Sequence, residues 1–257
     1  MQVFFYPGGI ATKQTHKLET TSASLHIMAM LFMLLDHLWA TVVPGNDWMT
    51  CVGRLAFPIF AFSLVEGFFH TRDRKAYAKR LLVFALLSEI PFDLAVGSRW
   101  FYPIHQNVLW TFLMALGLMQ WNETQREKAP ARRSAVAVAS VIIGALAGLI
   151  TMADYYHAGI LTVLVFYFFR GTSLFHRLGQ LAALWYINFE LLGGLGYELS
   201  LFGRPFFFPQ QGFALLALLP IWLYGGRQGH RSKTFQYFCY AFYPVHLLVL
   251  GLLKLFL

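Results

Sequence analysis

The sequence predicts an all-α fold, a polytopic bundle of about nine transmembrane helices. Of its 257 residues, 58% are hydrophobic, 18% are aromatic and only 12% are charged, which is about half the charged content of an average soluble chain. So little polar surface cannot cover a soluble globule of this length, and the apolar content excludes intrinsic disorder. The net charge of +8 lies in short loops rather than in a basic stripe on a soluble face, so it predicts no nucleic-acid partner.

The apolar stretches set the number of helices. A membrane-spanning helix needs about 20 mainly apolar residues, and residues 100–122, 134–153, 205–226 and 234–253 meet that length without a charged residue. Other apolar stretches contain a few ionisable side chains, and one is short. In chain order, the predicted helices cover residues 25–43, 52–69, 81–96, 106–122, 134–152, 155–169, 179–201, 211–225 and 235–256.

Local signals support several of these elements. Residues 20–22 (Thr, Thr, Ser) are typical of the N-cap of the first helix. Pro91 predicts a kink in the third helix, and Asn107 begins the fourth helix from its outer end. Glycines at 193, 194 and 196 predict close helix packing or a break in the seventh helix. The Phe run at 206–208 predicts part of an interfacial aromatic belt.

The Lys and Arg residues test this count independently. Four of the 20 lie on one predicted side of the membrane, namely Arg54, Arg99, Arg204 and Lys254. The other sixteen lie on the opposite side, which the positive-inside rule assigns to the cytoplasm. The sequence therefore predicts a cytoplasmic N-terminus and an extracytoplasmic C-terminus. It predicts a single integral membrane domain over residues 1–257, with residues 1–21 as a cytoplasmic tail.

The sequence lacks the motifs that are typical of several kinds of protein and site. The tail has no pattern of a cleavable signal peptide, and Cys51 and Cys239 give neither a disulfide framework nor a metal-ligand spacing. No phosphate-binding glycine loop, His-Glu-x-x-His or Cys-x-x-Cys motif is present. The sequence thus predicts no metal centre and no ATP-driven pumping. The basic loop at 72–80 predicts contact with anionic membrane lipid.

Ionisable side chains inside the predicted spans are the strongest functional signal. A charged group near the bilayer centre costs at least about 2.5–3.5 kcal/mol, and such groups mark functional sites. With a rise of about 1.5 Å per residue, most of them lie in the outer half of the bundle and predict a polar chamber that faces the extracytoplasmic side. The ionisable residues inside the spans include Asp36, His37, Glu66, Glu89, Asp93, Glu190, Glu198 and His246.

His37 is the candidate general base, because an imidazole has an unperturbed pKa of about 6.5 and exchanges protons near neutral pH. Adjacent residues on a helix point about 100° apart, so Asp36 is predicted to pair with Arg54 of the next helix. Glu89 and Asp93 lie four residues apart on one helix face, where two carboxylates suit a cation, a shared proton or an arginine partner. The alternatives are a buried structural histidine and a structural ion pair.

Eight short segments, in order along nearly the whole chain, carry a family resemblance. They are 33–37 (MLLDH), 53–62 (GRLAFPIFAF), 65–68 (VEGF), 71–72 (TR), 88–93 (SEIPFD), 106–108 (QNV), 154–159 (DYYHAG) and 242–247 (FYPVHL). With these segments the chain resembles the bacterial TraX family, and the first two segments are the most specific. The positions that match the family's polar residues are Asp36, His37, Arg54, Glu66, Glu89, Asn107 and His246.

The resemblance implies a function. The founding member of the family acetylates the N-terminus of conjugative pilin, and the family is similar in expected fold to transmembrane acyltransferases that use cytosolic acetyl-CoA. The resemblance therefore implies an acetyl-CoA-dependent acyltransferase of the bacterial plasma membrane. Its implied partners are membrane lipid, acetyl-CoA and an acyl acceptor, which is a protein N-terminus, a glycan or a small molecule. The alternative is an ion-coupled small-molecule transporter, which membrane carboxylates and a Pro-kinked helix also suit.

Under the acyltransferase hypothesis, His37 is the base, Asp36 or Glu89 orients it, and Asn107 or Arg54 donates hydrogen bonds to the reacting carbonyl oxygen. These roles define the predicted catalytic set of His37, Asp36, Glu89 and Asn107. Arg72, Arg74 and Arg80 are available for the phosphates of CoA. The predicted substrate-binding and cofactor-binding residues are Arg54, Glu66, Asp93, His246, Arg72 and Arg80.

Overall fold

A computed structural model describes residues 19–230 and 232–257. Most of the predicted cytoplasmic tail, including Lys13 and Lys17, lies outside the described residues, as does Arg231. The described helices are α1 Ser22–Thr41, α2 Asp47–Gly53, α3 Ala56–His70, α4 Arg74–Gly97, α5 Val108–Thr124, α6 Pro130–Thr151, α7 Tyr156–Phe168, α8 Leu174–Tyr186, α9 Leu218–Trp222 and α10 Lys233–Leu255. A π-helical turn, Ile187–Leu192, follows α8, and a 3₁₀ helix, Gln210–Ala217, precedes α9.

Local capping explains where several helices begin. The Thr21 side chain accepts a hydrogen bond from the Ser24 N–H at the start of α1, while the Ser24 side chain accepts one from the Thr21 N–H. Asn107 is the N-cap of α5 and accepts from the Leu109 N–H, as its predicted position requires. Pro91 lies inside α4, within the third predicted helix.

A β-hairpin that follows α8 replaces the end of the predicted seventh helix, within a fold that is otherwise mainly helical. Strand β1, Gly196–Leu201, pairs antiparallel with strand β2, Arg204–Pro209. The turn between them contains Phe202 and Gly203, both with positive φ (50° and 76°), which is the backbone of a tight hairpin turn that follows the strand twist. The aromatic run at 206–208 forms part of β2 rather than the end of a helix, because aromatic residues favour strands.

Two other predicted helices also differ from the structure. The second, at 52–69, is divided into α2 and α3 by a break at Arg54 and Leu55. The eighth, at 211–225, is the 3₁₀ helix followed by α9, over Gln210–Trp222. This segment is shorter than the roughly 17 residues that a spanning helix needs.

The described residues include four helices that are long and apolar enough to cross a membrane. They are Ser22–Thr41, Asp47–His70, Pro130–Thr151 and Lys233–Leu255. The protein is therefore a mainly helical membrane protein, while the number of nine spans and the orientation of the termini stay predictions. A core of fully buried side chains lies where α3, α5 and α7 meet, and includes Ile59, Phe68, Met119, Ile160 and Leu164.

Contacts between segments outside the helices define two ends of the bundle, since Thr20 pairs with Tyr224 and Gln106 pairs with Ala153. We call the end formed by loops 71–73, 125–129, 169–173 and 223–230 the basic end. There Glu66 binds Arg170 with two hydrogen bonds of 2.7 and 3.2 Å. The opposite end, which we call the cavity end, is formed by loops 42–46, 98–107, 152–155 and the hairpin segment 193–209.

Candidate functional site

A cavity of about 430 Å³ opens at the cavity end of the bundle. Its polar walls contain Asp36, His37, Arg54, His105 and Asp154. This arrangement agrees with the polar chamber that the sequence predicts. The rest of the lining is largely apolar, with Met33, Phe57, Phe60, Phe92, Val96, Val108 and Phe112 among its members.

Asp36 and Arg54 meet where α1 crosses the break between α2 and α3. The Thr50 hydroxyl donates to Asp36 Oδ1 at 2.6 Å, and Arg54 Nη1 lies 3.7 Å from Asp36 Oδ2. Gly53 makes this crossing possible, because a Cβ at that position would overlap the side chain of Asp36. The predicted pairing of Asp36 with Arg54 is confirmed.

Tyr155 holds the other side of the Arg54 guanidinium. The guanidinium of Arg54 lies beside the phenol of Tyr155, whose ring stacks on Phe57 with a centroid separation of 4.1 Å. Burial raises the pKa of this phenol, so Tyr155 stays neutral. Met152, Tyr155 and Tyr156 all have positive φ, between 47° and 63°. Such strained non-glycine residues cluster at functional sites.

His37 is held by His246 of α10. Nδ1 of His37 lies 2.7 Å from Nε2 of His246, and the ring planes differ by only 10° with centroids 5.0 Å apart. The centroid separation exceeds the N–N distance by about twice the distance from an imidazole centroid to its own nitrogen. The two nitrogens therefore lie on the line that joins the ring centres, so the rings are nearly coplanar and share an in-line hydrogen bond. His246 is therefore the orienting partner of His37, in place of the predicted Asp36 or Glu89. Asp36 is engaged by Thr50 and Arg54, and Glu89 binds a different set of residues.

Glu89 forms a separate cluster that fixes the start of α5. Its Oε1 accepts hydrogen bonds from Asn107 Nδ2 and from Trp110 Nε1, each at 2.5 Å. The second hydrogen of the Asn107 amide goes to the Ala85 carbonyl at 2.8 Å. Both amide hydrogens of Asn107 are therefore used, and the side chain is completely buried. This geometry does not support the prediction that Asn107 donates to a substrate.

His105 and Asp154 form the wall contributed by two loops. Backbone hydrogen bonds from Gln106 N to Met152 O and from Asp154 N to Gln106 O join these loops. Nε2 of His105 lies 3.7 Å from Asp154 Oδ1, a distance that favours an ion pair over a hydrogen bond. The Asp154 carboxylate raises the pKa of His105.

The other predicted residues lie away from the cavity lining. Asp93 is buried, and its Oδ2 accepts from the Tyr102 N–H at 2.7 Å, which closes the loop after α4. Glu66 is at the basic end, in its ion pair with Arg170. Arg72 and Arg80 are exposed at that same end.

Sequence reasoning did not assign roles to Thr50, His105 and Tyr155. Tyr155 carried one signal, because the family resemblance includes the segment 154–159. His105 lies in a loop between predicted helices, where a lone histidine has no distinguishing pattern. Among residues 19–230 and 232–257, no group of three His, Cys, Asp or Glu side chains is arranged to hold a metal ion.

The fold and the cavity together define a class, an integral membrane protein of bundled helices with a polar, histidine-containing cavity at one end. Within that class, the chain belongs to the TraX protein family, whose sequence profile matches residues 21–254. The family membership that the sequence segments predict is therefore confirmed.

Three relatives show what the chain is similar to. The probable fimbrial assembly protein FimC, serogroup H1, of Dichelobacter nodosus is 28% identical over 263 residues, which cover 95% of this chain and 99% of the relative. Protein TraX of Escherichia coli is 30% identical over 161 residues, which cover 61% of this chain and 60% of that protein. Protein TraX of Escherichia coli strain K12 has the same identity and coverage. No solved structure matches the chain significantly.

Proposed function

We propose that this protein is a membrane acyltransferase that moves an acetyl group from acetyl-CoA to an amine or hydroxyl acceptor in the cavity. The observation that carries the proposal is the setting of His37. Its Nδ1 is engaged by His246, so Nε2 is the ring nitrogen left for the cavity that His37 lines. Arg54 lines the same cavity. A base and a cationic donor are the two kinds of group that acyl transfer from a thioester requires.

In the proposed step, Nε2 of His37 removes the proton of the acceptor N–H or O–H while the acceptor atom bonds to the acyl carbon. The carbonyl oxygen gains negative charge, which the Arg54 guanidinium stabilises. The C–S bond then breaks, and the thiolate leaves with the proton that His37 had accepted. The products are the acetylated acceptor and the free thiol, and His37 is neutral again.

The contacts of Arg54 support its role as the donor. A guanidinium has five N–H groups, and the polar groups beside it are the Asp36 carboxylate and the Tyr155 phenol. Its Nε is buried and has no hydrogen-bond partner among the described residues. We therefore propose Arg54 in place of Asn107 as the group that faces the carbonyl oxygen. Asp36 is a positioning residue that fixes Arg54.

The basic end suits the charged part of the proposed donor. Acetyl-CoA supplies the thioester when it is bound, and the exposed guanidinium groups of Arg72 and Arg80 suit phosphate oxygens. Arg74 is already engaged, because it donates to Gln120 at 3.0 Å and lies over the Phe68 ring at 4.0 Å. We propose that Glu66 holds Arg170 and stabilises the basic end rather than contacting the donor.

The relatives suggest which acceptor to test first. One relative is named as a fimbrial assembly protein, and the family carries the name TraX. We propose that the acceptor is the N-terminal amine of a pilus or fimbrial subunit. No observation favours the transporter alternative, so transport is not proposed.

The test uses the purified full chain in detergent with radiolabelled acetyl-CoA and a short peptide that has a free N-terminal amine. Label is expected to pass to this peptide, and not to the same peptide with a blocked N-terminus. His37→Ala should lower the rate by roughly 10²–10⁴-fold, which is the usual contribution of a general base. His26→Ala is the matched control, because His26 is also on α1 but binds the Ser22 carbonyl away from the cavity lining.

Two outcomes oppose the proposal. An equal loss of activity in the His37 and His26 variants would show that removal of any α1 imidazole disturbs the protein. Absence of acetyl-CoA binding by calorimetry, together with no label transfer to the peptide or to a simple methyl glucoside, would contradict acyl transfer. Thermal unfolding of each variant in the same detergent separates loss of chemistry from loss of fold.

A further inference from the structure

The hydrogen bonds of His246 determine where its own proton sits. Nδ1 of His246 lies 2.6 Å from the carbonyl oxygen of Phe242, one turn earlier in α10. A carbonyl oxygen only accepts hydrogen bonds, so Nδ1 of His246 must carry the hydrogen. A neutral imidazole has one N–H, and Nε2 of His246 is therefore a lone-pair acceptor.

The same reasoning applies to His37, the partner of His246. Nε2 of His246 lies 2.7 Å from Nδ1 of His37, and since the first atom accepts, the second must donate. The hydrogen of neutral His37 is then on Nδ1, and its lone pair is on Nε2. The backbone carbonyl of Phe242 thus fixes which ring nitrogen carries the hydrogen in both histidines.

Packing keeps the His246 ring in this orientation. The ring stacks on Phe242 with centroids 4.8 Å apart, lies 5.8 Å from the ring of Tyr243, and only 7% of the residue is exposed. A flipped ring would place a carbon atom against both the Phe242 carbonyl and His37. The ionisable Asp, Arg and His side chains that line the cavity with His37 are Asp36, Arg54, His105 and Asp154. Among the described contacts, none of them is hydrogen-bonded to either imidazole of the pair.

We infer that His246 is a positioning residue that selects the Nδ1–H tautomer of His37 and so supplies a free Nε2 lone pair to the cavity. The inference rests on the proposed function, because a free lone pair matters only if His37 acts as a base. The opposite tautomer would place hydrogen on Nε2 and leave no acceptor for the proton of the substrate. After His37 accepts that proton, its Nδ1–H still donates to His246 Nε2, so the imidazolium keeps its partner.

Replacement of His246 tests the role through the acyl-transfer assay. His246→Leu removes the acceptor, and kcat is expected to fall roughly 10²-fold with KM unchanged, because His246 touches His37 and not the substrate. His246→Gln places an amide oxygen near the position of Nε2 and should restore most of that loss. The matched control is His26→Leu. His26 shares the contact to the carbonyl four residues earlier, at 2.8 Å, but has no second histidine as a partner within residues 19–230 and 232–257, and its variant should keep full kcat.

A second measurement does not depend on activity. Nitrogen-15 NMR of the wild-type protein labelled in its nine histidines distinguishes protonated from unprotonated ring nitrogens. The His37 signals are identified by their loss in His37→Gln. The expected spectrum gives His37 a protonated Nδ1 and an unprotonated Nε2.

The outcomes separate this inference from the proposed function. An unprotonated Nδ1 in His37 overturns the inference, as does a His246→Leu variant with unchanged kcat or a Gln variant that loses as much kcat as the Leu variant. The expected spectrum in a protein that transfers no acetyl group supports the tautomer and contradicts the acyltransferase proposal instead.

Discussion

His105 and Asp154 form an ion pair in the loops of the cavity end, outside the helices. The Asp154 carboxylate raises the pKa of His105, and Asp93 and Glu89 add smaller contributions in the same direction against the opposing effect of burial. A histidine whose folded-state pKa is above its unfolded value of about 6.5 stabilises the fold when it is protonated. That stabilisation is fully present below pH of about 6.5 and is lost as pH rises through the higher folded-state pKa.

His105→Gln is therefore expected to lower the unfolding temperature in detergent at pH 6 and to have a smaller effect at pH 9. The pair is partly exposed, at 24% and 31% of its two side chains, so its contribution is about 1 kcal/mol or less. For a chain of this size that corresponds to a shift of about 2–4 °C. Differential scanning calorimetry or fluorimetry across the pH range measures it.

The companion variant Asp154→Asn removes the same charge pair while keeping a side-chain oxygen for the Tyr155 N–H. It should show the same dependence on pH, and the double variant should lose no more stability than either single variant at pH 6. A difference between wild type and His105→Gln that stays constant from pH 6 to pH 9 would mean that the pair does not stabilise the protein through charge.

At the scale of elements, α6 and α7 approach each other closely at a glycine. A Cβ added at Gly148 would lie within 3 Å of the backbone of Tyr156 and His157 at the start of α7. Backbone cannot yield as a flexible side chain does, so Gly148→Ala must push the two helices apart. This overpacking is expected to cost about 1–3 kcal/mol, seen as a lower unfolding temperature.

Gly117 offers a matched control in the middle of α5. It is exposed, and a Cβ there would meet no atom within 4 Å. Gly117→Ala should leave stability unchanged or raise it by up to about 1 kcal/mol, because alanine is the better helix former. Equal unfolding temperatures for the two variants would show that α6 and α7 do not depend on the glycine contact.

The sequence is informative about elements whose cause is local. The N-cap at Asn107 was predictable because it depends on neighbouring residues, and the pairing of Asp36 with Arg54 followed from helix geometry and depth. The hairpin was not predictable, because an apolar run broken by glycines fits a membrane helix as well as a strand. Hydropathy alone therefore extended the seventh helix over β1.

Contacts between distant parts of the chain were also not predictable from the sequence. His37 and His246 are 209 positions apart, and their hydrogen bond depends on how α10 packs beside α1. Each histidine was recognisable as a polar group that is energetically unfavourable inside a membrane span. A single sequence does not show which of these polar groups contact each other. The left-handed backbone of Tyr155 likewise comes from the loop contacts around it, since a bulky residue disfavours that conformation on its own.

At the scale of the whole molecule, the two ends of the bundle differ in charge. Arg72, Arg80, Arg126 and Arg170 lie at or beside loops of the basic end, whereas the hairpin at the cavity end carries Arg204. This asymmetry is the basis for placing the basic end in the cytoplasm. That orientation would give acetyl-CoA, a cytosolic metabolite, access to the exposed arginines, and would direct the cavity to acceptors outside the cell.

Single-cysteine labelling tests this orientation. In a background with Cys51 and Cys239 replaced by Ser, one variant carries Phe202→Cys at the hairpin tip, where the side chain is 97% exposed. The other carries Glu127→Cys, exposed in the loop between α5 and α6. A membrane-impermeant maleimide is expected to label the first variant in intact cells and the second only after permeabilisation, because translocating the arginine-rich loops is disfavoured. The reverse pattern would place the cavity in the cytoplasm, where an acceptor would have to be acetylated before export.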